Sequence, residues 1–135
     1  MTKVLLVCSD PDTQAAIGAV LSELDGFSEP LVLNSAAQAR IEYQRVDVDI
    51  ALIDIAVENG QGLAVAREMS VIDPLVPICL LLTRIDSDSI LNAMDSGVRA
   101  ILPLPPSLER YAERLRSLSN WAKAASRQIA DERQT

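Results

Sequence analysis

The residues most suited to chemistry follow two aliphatic runs, KVLLV and DIALIDI, which have the composition of buried strands. Cys8, Ser9 and Asp10 come directly after the first run and before Pro11, and Asp54 lies near the end of the second. This layout is typical of a carboxylate site at the mouth of a parallel sheet. A pair of acids would suit the two positions directly after the first run, but the chain has Cys8 and Ser9 there. The site is therefore a working one, a shifted one or the remains of one.

The composition argues against several classes of enzyme. The chain has no histidine, which removes the commonest general base and metal ligand. We therefore discount metalloprotease, serine-hydrolase and cysteine-protease mechanisms of the usual kinds. The stretch ENGQG (residues 58–62) lacks the lysine and the spacing of a phosphate-binding loop, and only 3% of the residues are aromatic. A small doubly wound enzyme or a flavin-binding protein is correspondingly disfavoured.

Length and charge limit the remaining classes of protein. The 135 residues suffice for one ordinary domain, and the 49% that are hydrophobic can supply its core. A formal net charge of −7 repels phosphate backbones, so we predict no direct binding to nucleic acid. No window approaches the length of a membrane span, so we expect no membrane partner. The first apolar run is too short for a signal peptide, and the two cysteines suggest no disulfide framework, so we predict a cytoplasmic location.

Short apolar runs alternate along the chain with longer amphipathic ones. Five strands are predicted, over residues 3–7, 30–33, 49–55, 77–82 and 100–104. Each is followed by a helix: these begin at Pro11, Ser35 and Gly62, within SDSILNAMDSG, and near Ser107. Strict βα alternation predicts an α/β fold, a doubly wound five-stranded parallel sheet with helices on both faces. Functional residues are then expected directly after the strands, at Cys8 to Asp10, Asp54 to Ala56, Leu82 to Thr83 and Leu104 to Pro105.

Two stretches of the sequence resemble the receiver domains of two-component response regulators, of the chemotaxis-receiver kind. In DIALIDIAVENGQGL (residues 49–63), Asp54 matches the family's third-strand acid and Gly62 matches the glycine that starts the third helix. In SGVRAILPLPP, a glycine precedes the fifth strand and Pro105 follows it, as in the family's later signature, where the residue before the proline is a lysine. The resemblance covers residues 3–118 and implies the strand order 2-1-3-4-5.

The resemblance implies phosphoryl transfer from a histidine kinase to the third-strand aspartate, here Asp54. In the family, an acidic pair after the first strand and the acceptor hold Mg²⁺, together with a main-chain carbonyl that here belongs to Ala56. A lysine after the fifth strand pairs with the phosphoryl group, and a threonine or serine after the fourth strand moves to bond it. These parts neutralise the charge of the transferred phosphate.

The family's acidic pair is incomplete in this chain in either alignment of the first strand. Anchored on Pro11, the pair falls on Cys8 and Ser9, and Asp10 is then the third, non-ligand position. Anchored on Gly26 instead, the pair falls on Ser9 and Asp10. The first helix's apolar spacing favours the first alignment, although Asp10 can still reach a cation through water.

The other side chains of the family's site are also replaced. Leu82 falls at the position of the switch hydroxyl, Thr83 lies one residue past it, and Leu104 stands where the lysine belongs. The remaining candidate ligands for Mg²⁺ are Asp10, Asp54 and the backbone carbonyl of Ala56.

We therefore interpret the chain as an atypical or degenerate receiver rather than an enzyme, with Mg²⁺ binding weak or absent. The first functional hypothesis is a phosphate-independent or weakly phosphorylated module for interaction or dimerisation. The alternative is a conventional receiver, phosphorylated on Asp54 by a histidine kinase with Mg²⁺. Losing one oxyanion-type stabiliser can cost about a hundredfold in rate, and this chain has lost more than one.

The C-terminal part of the chain carries a heptad-like seam of apolar residues. We predict a receiver-like domain over residues 1–118 and a helical extension over residues 119–135, toward an output domain or a dimer partner. A helix over residues 107–129 would be about 35 Å long, more than cover of the sheet requires. A homodimer is predicted through the face of the fourth helix, fifth strand and fifth helix, or through the extension, where Trp121 is expected to be exposed. The seam consists of Leu108, Tyr111, Leu115, Leu118, Ala122, Ala125 and Ile129.

Overall fold

The strands form one five-stranded parallel sheet, which confirms the predicted fold class and strand order. A computed structural model describes the backbone of residues 1–134 and the side chains of residues 1–128. The strand order is β2-β1-β3-β4-β5, and every neighbouring pair is parallel. The strands are β1 (Val4–Val7), β2 (Leu31–Leu33), β3 (Ile50–Asp54), β4 (Ile78–Leu82) and β5 (Ala100–Pro103).

Five helices follow the five strands, and polar side chains fix where three of them begin. Asp10, Ser35 and Asp86 cap the first, second and fourth helices, each accepting a hydrogen bond from a backbone N–H in the first turn. Pro11 then occupies the first position of the first helix, where its missing N–H costs nothing. The helices are α1 (Pro11–Ser22), α2 (Ala36–Glu42), α3 (Gly62–Ile72), α4 (Ser87–Asp95) and α5 (Leu108–Gln134).

A short segment, Val57–Gly60, connects β3 to α3 and is not a regular helix. Glu58 and Asn59 have positive φ angles of 45° and 59°, and Gly60 follows at 92°. A carboxylate oxygen of Glu58 accepts a hydrogen bond from the backbone N–H of Ala36 at 3.0 Å. The loop after β3 is therefore tied to the start of α2, which the sequence pattern did not indicate.

The sheet is covered on both faces, so its strands alternate between two apolar clusters. One cluster joins the sheet to α1 and α5 and includes Leu6, Cys8 and Tyr111. The other joins it to α2, α3 and α4 and includes Ile53. Successive strand residues point to opposite faces of the sheet. Since Ile53 points to the side of α2, α3 and α4, the next residue, Asp54, points to the side of α1 and α5, as Cys8 does.

Helix α5 is fastened to the edge of the sheet where the strands begin. A buried hydrogen bond of 2.6 Å joins the hydroxyls of Thr2 and Ser119. The guanidinium of Arg99, just before β5, lies 3.7 Å from the ring centroid of Trp121. Trp121 is consequently half-buried rather than exposed, because Arg99 covers its ring. The buried part of the helix ends at Ala122.

Beyond Ala122 the helix leaves the packed domain. Of the side chains described from Lys123 to Gln128, all are exposed except that of Ala125, which is half-buried. The helical backbone continues to Gln134, about 18 Å farther. A helical extension is thus present, whereas the predicted division of domains at residue 118 stays a prediction. The side chain of Ile129, the last of the predicted seam, lies outside the described residues.

Within residues 1–134, every helix is either too short or too polar to cross a membrane.

Candidate functional site

Asp54 is the last residue of β3, and its carboxylate is nearly buried, with 7% of the residue exposed. One carboxylate oxygen, Oδ1, accepts a hydrogen bond from the backbone N–H of Ala56 at 3.0 Å. The other, Oδ2, accepts one from the thiol of Cys8, whose Sγ lies 3.4 Å away. Both oxygens of this carboxylate thus have donors from within the chain.

Cys8 is fully buried and acts as a neutral donor to this carboxylate. Burial raises the pKa of Cys8 to about 11, and the negative charge of Asp54 adds to the rise. The thiol therefore keeps its proton at neutral pH. A residue that the resemblance places at an acidic position is here an S–H group turned toward Asp54.

Gly62 lets α3 begin in direct contact with the end of β3. A Cβ atom at this position would lie 2.2 Å from the backbone oxygen of Asp54 and 2.6 Å from the Cα of Ile55. The backbone N–H of Gly62 donates to the carbonyl of Ile55 at 3.3 Å. The spacing between Asp54 and Gly62 therefore has a steric cause, since any side chain at position 62 would collide with the backbone of the candidate site.

Asp10 is exposed, and its carboxylate is engaged at the start of α1. Its Oδ2 accepts hydrogen bonds from the hydroxyl of Thr13 at 2.6 Å and from the backbone N–H of Thr13 at 3.1 Å. These two bonds lower the pKa of Asp10, the hydroxyl contributing most. Cys8 is thus the residue after β1 that contacts Asp54, whereas Asp10 serves as a helix cap and Ser9 is exposed.

Leu82 is the last residue of β4, and Thr83 and Leu104 follow β4 and β5 directly. Leu82 is buried in the α2–α4 cluster, Thr83 is exposed, and Leu104 packs partly buried against the α1–α5 cluster. The backbone N–H of Leu104 donates to the carbonyl of Leu82 at 2.9 Å, so the ends of β4 and β5 remain side by side. The peptide between Leu104 and Pro105 is cis.

Tyr111 is a site neighbour that the sequence indicated only as part of the apolar seam. Its ring is fully buried in the cluster between the sheet and helices α1 and α5, and its hydroxyl donates to the carbonyl of Pro103 at 2.6 Å. Burial raises the pKa of Tyr111, and the nearby charges of Cys79 and Asp54 contribute in the same direction. The signal available in the sequence was a tyrosine on the face of α5 that packs against β5.

The groups near Asp54 that could act as metal ligands do not form the set that Mg²⁺ prefers. Mg²⁺ takes carboxylate, carbonyl and water oxygens, and a protonated thiol is not such a ligand. The carboxylate of Asp10 is bonded to Thr13, which leaves Asp54 and the carbonyl of Ala56. Within the part of the chain that the structure describes, no three His, Cys, Asp or Glu side chains are grouped to hold a metal ion.

Comparison with known proteins gives matches in structure but not in sequence. No family model matches the chain, and no curated protein matches it. A receiver domain protein (CheY-like) from Methanospirillum hungatei superposes with a TM-score of 0.82 at 14% identity, over 93% of this chain and 98% of that one. A two-component response regulator from Clostridium difficile gives 0.78 at 23% identity, over 87% and 95% of the two chains.

NtrX from Brucella abortus is a longer structural neighbour. It superposes with a TM-score of 0.81 at 19% identity, over 97% of this chain but only 30% of its own length. At these identities the similarity concerns the fold. The chain has the fold of response-regulator receiver domains, with Asp54 at the carboxyl end of its central strand.

Proposed function

We propose that this chain is a signalling module of the receiver type, rather than an enzyme, and that it acts through protein contacts without phosphorylation of Asp54. The observation that carries the proposal is the hydrogen bond from the buried Cys8 thiol to the Asp54 carboxylate. In the alignment that the resemblance implies, this neutral donor stands where a conventional receiver has a second carboxylate for Mg²⁺.

Phosphoryl transfer to Asp54 would lack its main sources of positive charge. The transferred group carries negative charge that Mg²⁺ and a lysine normally neutralise. The resemblance puts Leu104 at the lysine position, and this apolar side chain packs against the α1–α5 cluster. Cys8 offers a protonated thiol, which Mg²⁺ disfavours. The loss of each stabiliser costs about 3 kcal/mol, so the two losses together make phosphorylation very slow.

A second candidate function is that of a conventional receiver, phosphorylated on Asp54 by a histidine kinase with Mg²⁺. The position of Asp54 at the end of β3, opposite Gly62, favours it. In that case Asp10, Asp54 and the carbonyl of Ala56 would hold the metal ion, and Thr83 would supply the switch hydroxyl in place of Leu82. Whichever of the two functions holds, the buried and unpaired state of Cys8 and Cys79 supports a reducing, cytoplasmic location.

Two surfaces support partner binding by such a module. Ile85, in the loop before α4, is exposed, as are Leu91 and Met94 on α4 itself. The face of α4, β5 and α5 therefore offers apolar area to a second copy or a signalling partner. The extension of α5 beyond Ala122 offers a second contact, toward a dimer partner or an output domain. An output domain is consistent with NtrX, in which the superposed part is a minor fraction of the chain.

The test exposes the protein to acetyl phosphate and Mg²⁺ and measures its intact mass. We expect no phosphoryl adduct on the wild-type chain, and we expect a concentration-dependent dimer in sedimentation without any phosphodonor. The double variant Cys8→Asp with Leu104→Lys restores a carboxylate and a cation, and it should gain an adduct that Asp54→Asn removes. A wild-type adduct that is lost in Asp54→Asn would overturn the proposal in favour of the conventional receiver.

A further inference from the structure

A groove between helices α2 and α3 carries apolar side chains that the folded chain leaves exposed. It has a volume of about 540 Å³ and lies on the face of the sheet that α2, α3 and α4 cover. Val71 and Ile72 line the groove and are 82% and 49% exposed. Ile41, next to the lining residue Arg40, is 55% exposed. Exposed apolar side chains that are grouped in this way mark a contact surface.

The rim of this groove is cationic, although the chain as a whole has a net charge of −7. Two arginines and one glutamate, Arg40, Arg67 and Glu68, are among the lining residues. The Nε of Arg40 lies 2.6 Å from Oε2 of Glu68, and this ion pair joins α2 to α3. Arg67 is exposed and has no ion pair among the side chains of residues 1–128. The groove therefore presents one uncompensated arginine four residues before the exposed Val71, on the same side of α3.

Helix α4 combines exposed apolar side chains with the opposite charge. Leu91 is 61% exposed and Met94 is 66% exposed. Asp88 lies three residues before Leu91 and Asp95 four residues after it, so both carboxylates lie on its side of the helix. Neither aspartate has an ion pair among the described side chains, and α4 contains no lysine or arginine. The exposed face of α4 is thus complementary in charge to the α2–α3 groove and shares its apolar character.

The two surfaces lie on one face of the sheet, on either side of α3. The ion pair of Arg40 with Glu68 joins α3 to α2, and on the other side the hydroxyl of Ser70 donates to the carbonyl of Ser96, at the end of α4, at 3.2 Å. Because α3 separates them, the groove and α4 do not meet within one chain. A two-fold axis along α3 sets the groove of each copy against α4 of the other, so that the same contact is made twice and the assembly closes as a dimer.

We propose that this protein forms a symmetric dimer in which the exposed face of α4 of each copy docks in the α2–α3 groove of the other. Leu91 and Met94 lie against Val71 in this contact, and Asp95 pairs with Arg67. The inference rests on the proposed function, because it identifies the surface to which α4 binds in a contact made without phosphorylation.

The test is sedimentation equilibrium of the full chain, which measures the dissociation constant of the dimer. We expect this constant to rise with salt, because ion pairs at an exposed rim are screened. Arg67→Glu and Asp95→Arg should each raise it about tenfold, since both contacts of the dimer lose an attraction and gain a repulsion. The two substitutions combined exchange the charges, and the dissociation constant should return to within about threefold of the wild-type value.

These substitutions are chosen to leave the folded chain intact. Arg67 is exposed, and Asp95 is the exposed last residue of α4, where an arginine is favourable for the helix. Arg110→Glu is the matched control, because Arg110 is exposed on α5, which packs on the other face of the sheet. It should leave the dissociation constant unchanged.

The inference is overturned if the wild-type chain is a monomer, if the single reversals leave the dimer unchanged, or if the combined variant dimerises no better than they do. It is also overturned if Arg110→Glu weakens the dimer as much as Arg67→Glu does, since the contact then lies on α5. Phosphate independence is decided separately, by the mass of the chain after exposure to acetyl phosphate, so the failure of one proposal is distinguishable from the failure of the other.

Discussion

Asp54 and Tyr43 are buried polar groups at opposite edges of one sheet, and they differ in how their hydrogen bonds are met. Asp54 has donors on both carboxylate oxygens, the backbone N–H of Ala56 and the thiol of Cys8. The hydroxyl of Tyr43 has none among the described residues, although it is equally buried. The hydrogen bonds of Asp54 are therefore met from within the chain, while the opposite edge keeps a buried hydroxyl, that of Tyr43, without a partner among the described residues.

The partners of Asp54 differ from those expected at a conventional receiver site. The carboxylate of Asp54 accepts its two hydrogen bonds from neutral groups, the backbone N–H of Ala56 and the thiol of Cys8. A conventional receiver site combines several carboxylates and a lysine at this edge, so that charge must be compensated by Mg²⁺ and phosphate. The resemblance implies that Cys8 and Leu104 stand at two of those positions in this chain.

The largest effect is expected from Gly62→Ala, which tests how rigidly the Asp54 edge is built. The added Cβ would lie 2.2 Å from the backbone oxygen of Asp54, so α3 or the strand end must move. We expect the free energy of unfolding to fall by about 3 kcal/mol or more, measured by urea denaturation.

Gly18→Ala is the matched control, because a Cβ at position 18 meets no atom within 4 Å. It should raise the free energy of unfolding by about 0.5–1 kcal/mol, since alanine favours the interior of α1. Equal effects of the two substitutions would show that the contact between α3 and β3 does not constrain the site.

The second prediction concerns alkaline pH and the neutral state of Cys8. The folded pKa of about 11 lies above the ordinary value of 9.0, so the unfolded chain releases this proton first. Stability is thus retained below pH 9 and is lost as the pH rises toward 11, by about 2 kcal/mol from this residue. Burial of Cys79 and of the two tyrosines adds further loss in the same direction.

Thermal unfolding measured between pH 8 and pH 11 checks this prediction. Cys8→Ser keeps a donor near Asp54 but does not titrate in this range, so its stability should fall less steeply with pH than that of the wild type. Parallel curves for the two proteins would mean that Cys8 is not held neutral by its surroundings.

The smallest losses of stability are expected from the two contacts that hold α5 against the sheet, the Thr2–Ser119 hydrogen bond and the stacking of Arg99 on Trp121. Both lie at the same edge of the sheet as Tyr43. Ser119→Ala leaves the buried hydroxyl of Thr2 without its partner and should cost about 1 kcal/mol. Arg99→Ala removes the cation over Trp121 and should cost about 0.5–1 kcal/mol.

Trp121 emission, combined with denaturation, checks both substitutions, because the chain has a single tryptophan. Arg99→Ala should change the emission of the native protein, whereas Ser119→Ala should change mainly the midpoint of unfolding. A native spectrum that is unchanged in Arg99→Ala would contradict the observed stacking.

The sequence predicted the order of the elements well because the strands are buried on both faces and therefore read as continuous aliphatic runs. It also predicted the capping role of Ser35 and placed Asp54 at the end of β3. It did not predict the left-handed backbone at Glu58 and Asn59, since neither residue demands a positive φ. The contact between Cys8 and Asp54 depends on how the side chains of two neighbouring strands are oriented, which composition does not encode.

The cases of Tyr43 and Trp121 show the same limit. A tyrosine at the end of α2 reads as a core residue, and no pattern in the sequence shows whether its hydroxyl finds a partner. Trp121 reads as exposed on the helix, but Arg99 comes from a connection that is distant in sequence and covers its ring. Satisfaction of polar groups is a property of the packed structure, and sequence periodicity reports only which face is buried.

The passage of α5 beyond Ala122 as an unbroken helix has a geometric consequence for whatever it contacts. Because each residue of an α-helix turns the chain by about 100°, the position of a residue along this helix also sets the direction in which its side chain points around the helix axis. Inserting one residue after Ala122 would swing every later side chain by more than a right angle, whereas inserting seven would return them nearly to their original heading. The number of residues after Ala122 therefore determines both how far a contact lies from the packed domain and the angle around the helix axis at which it is presented.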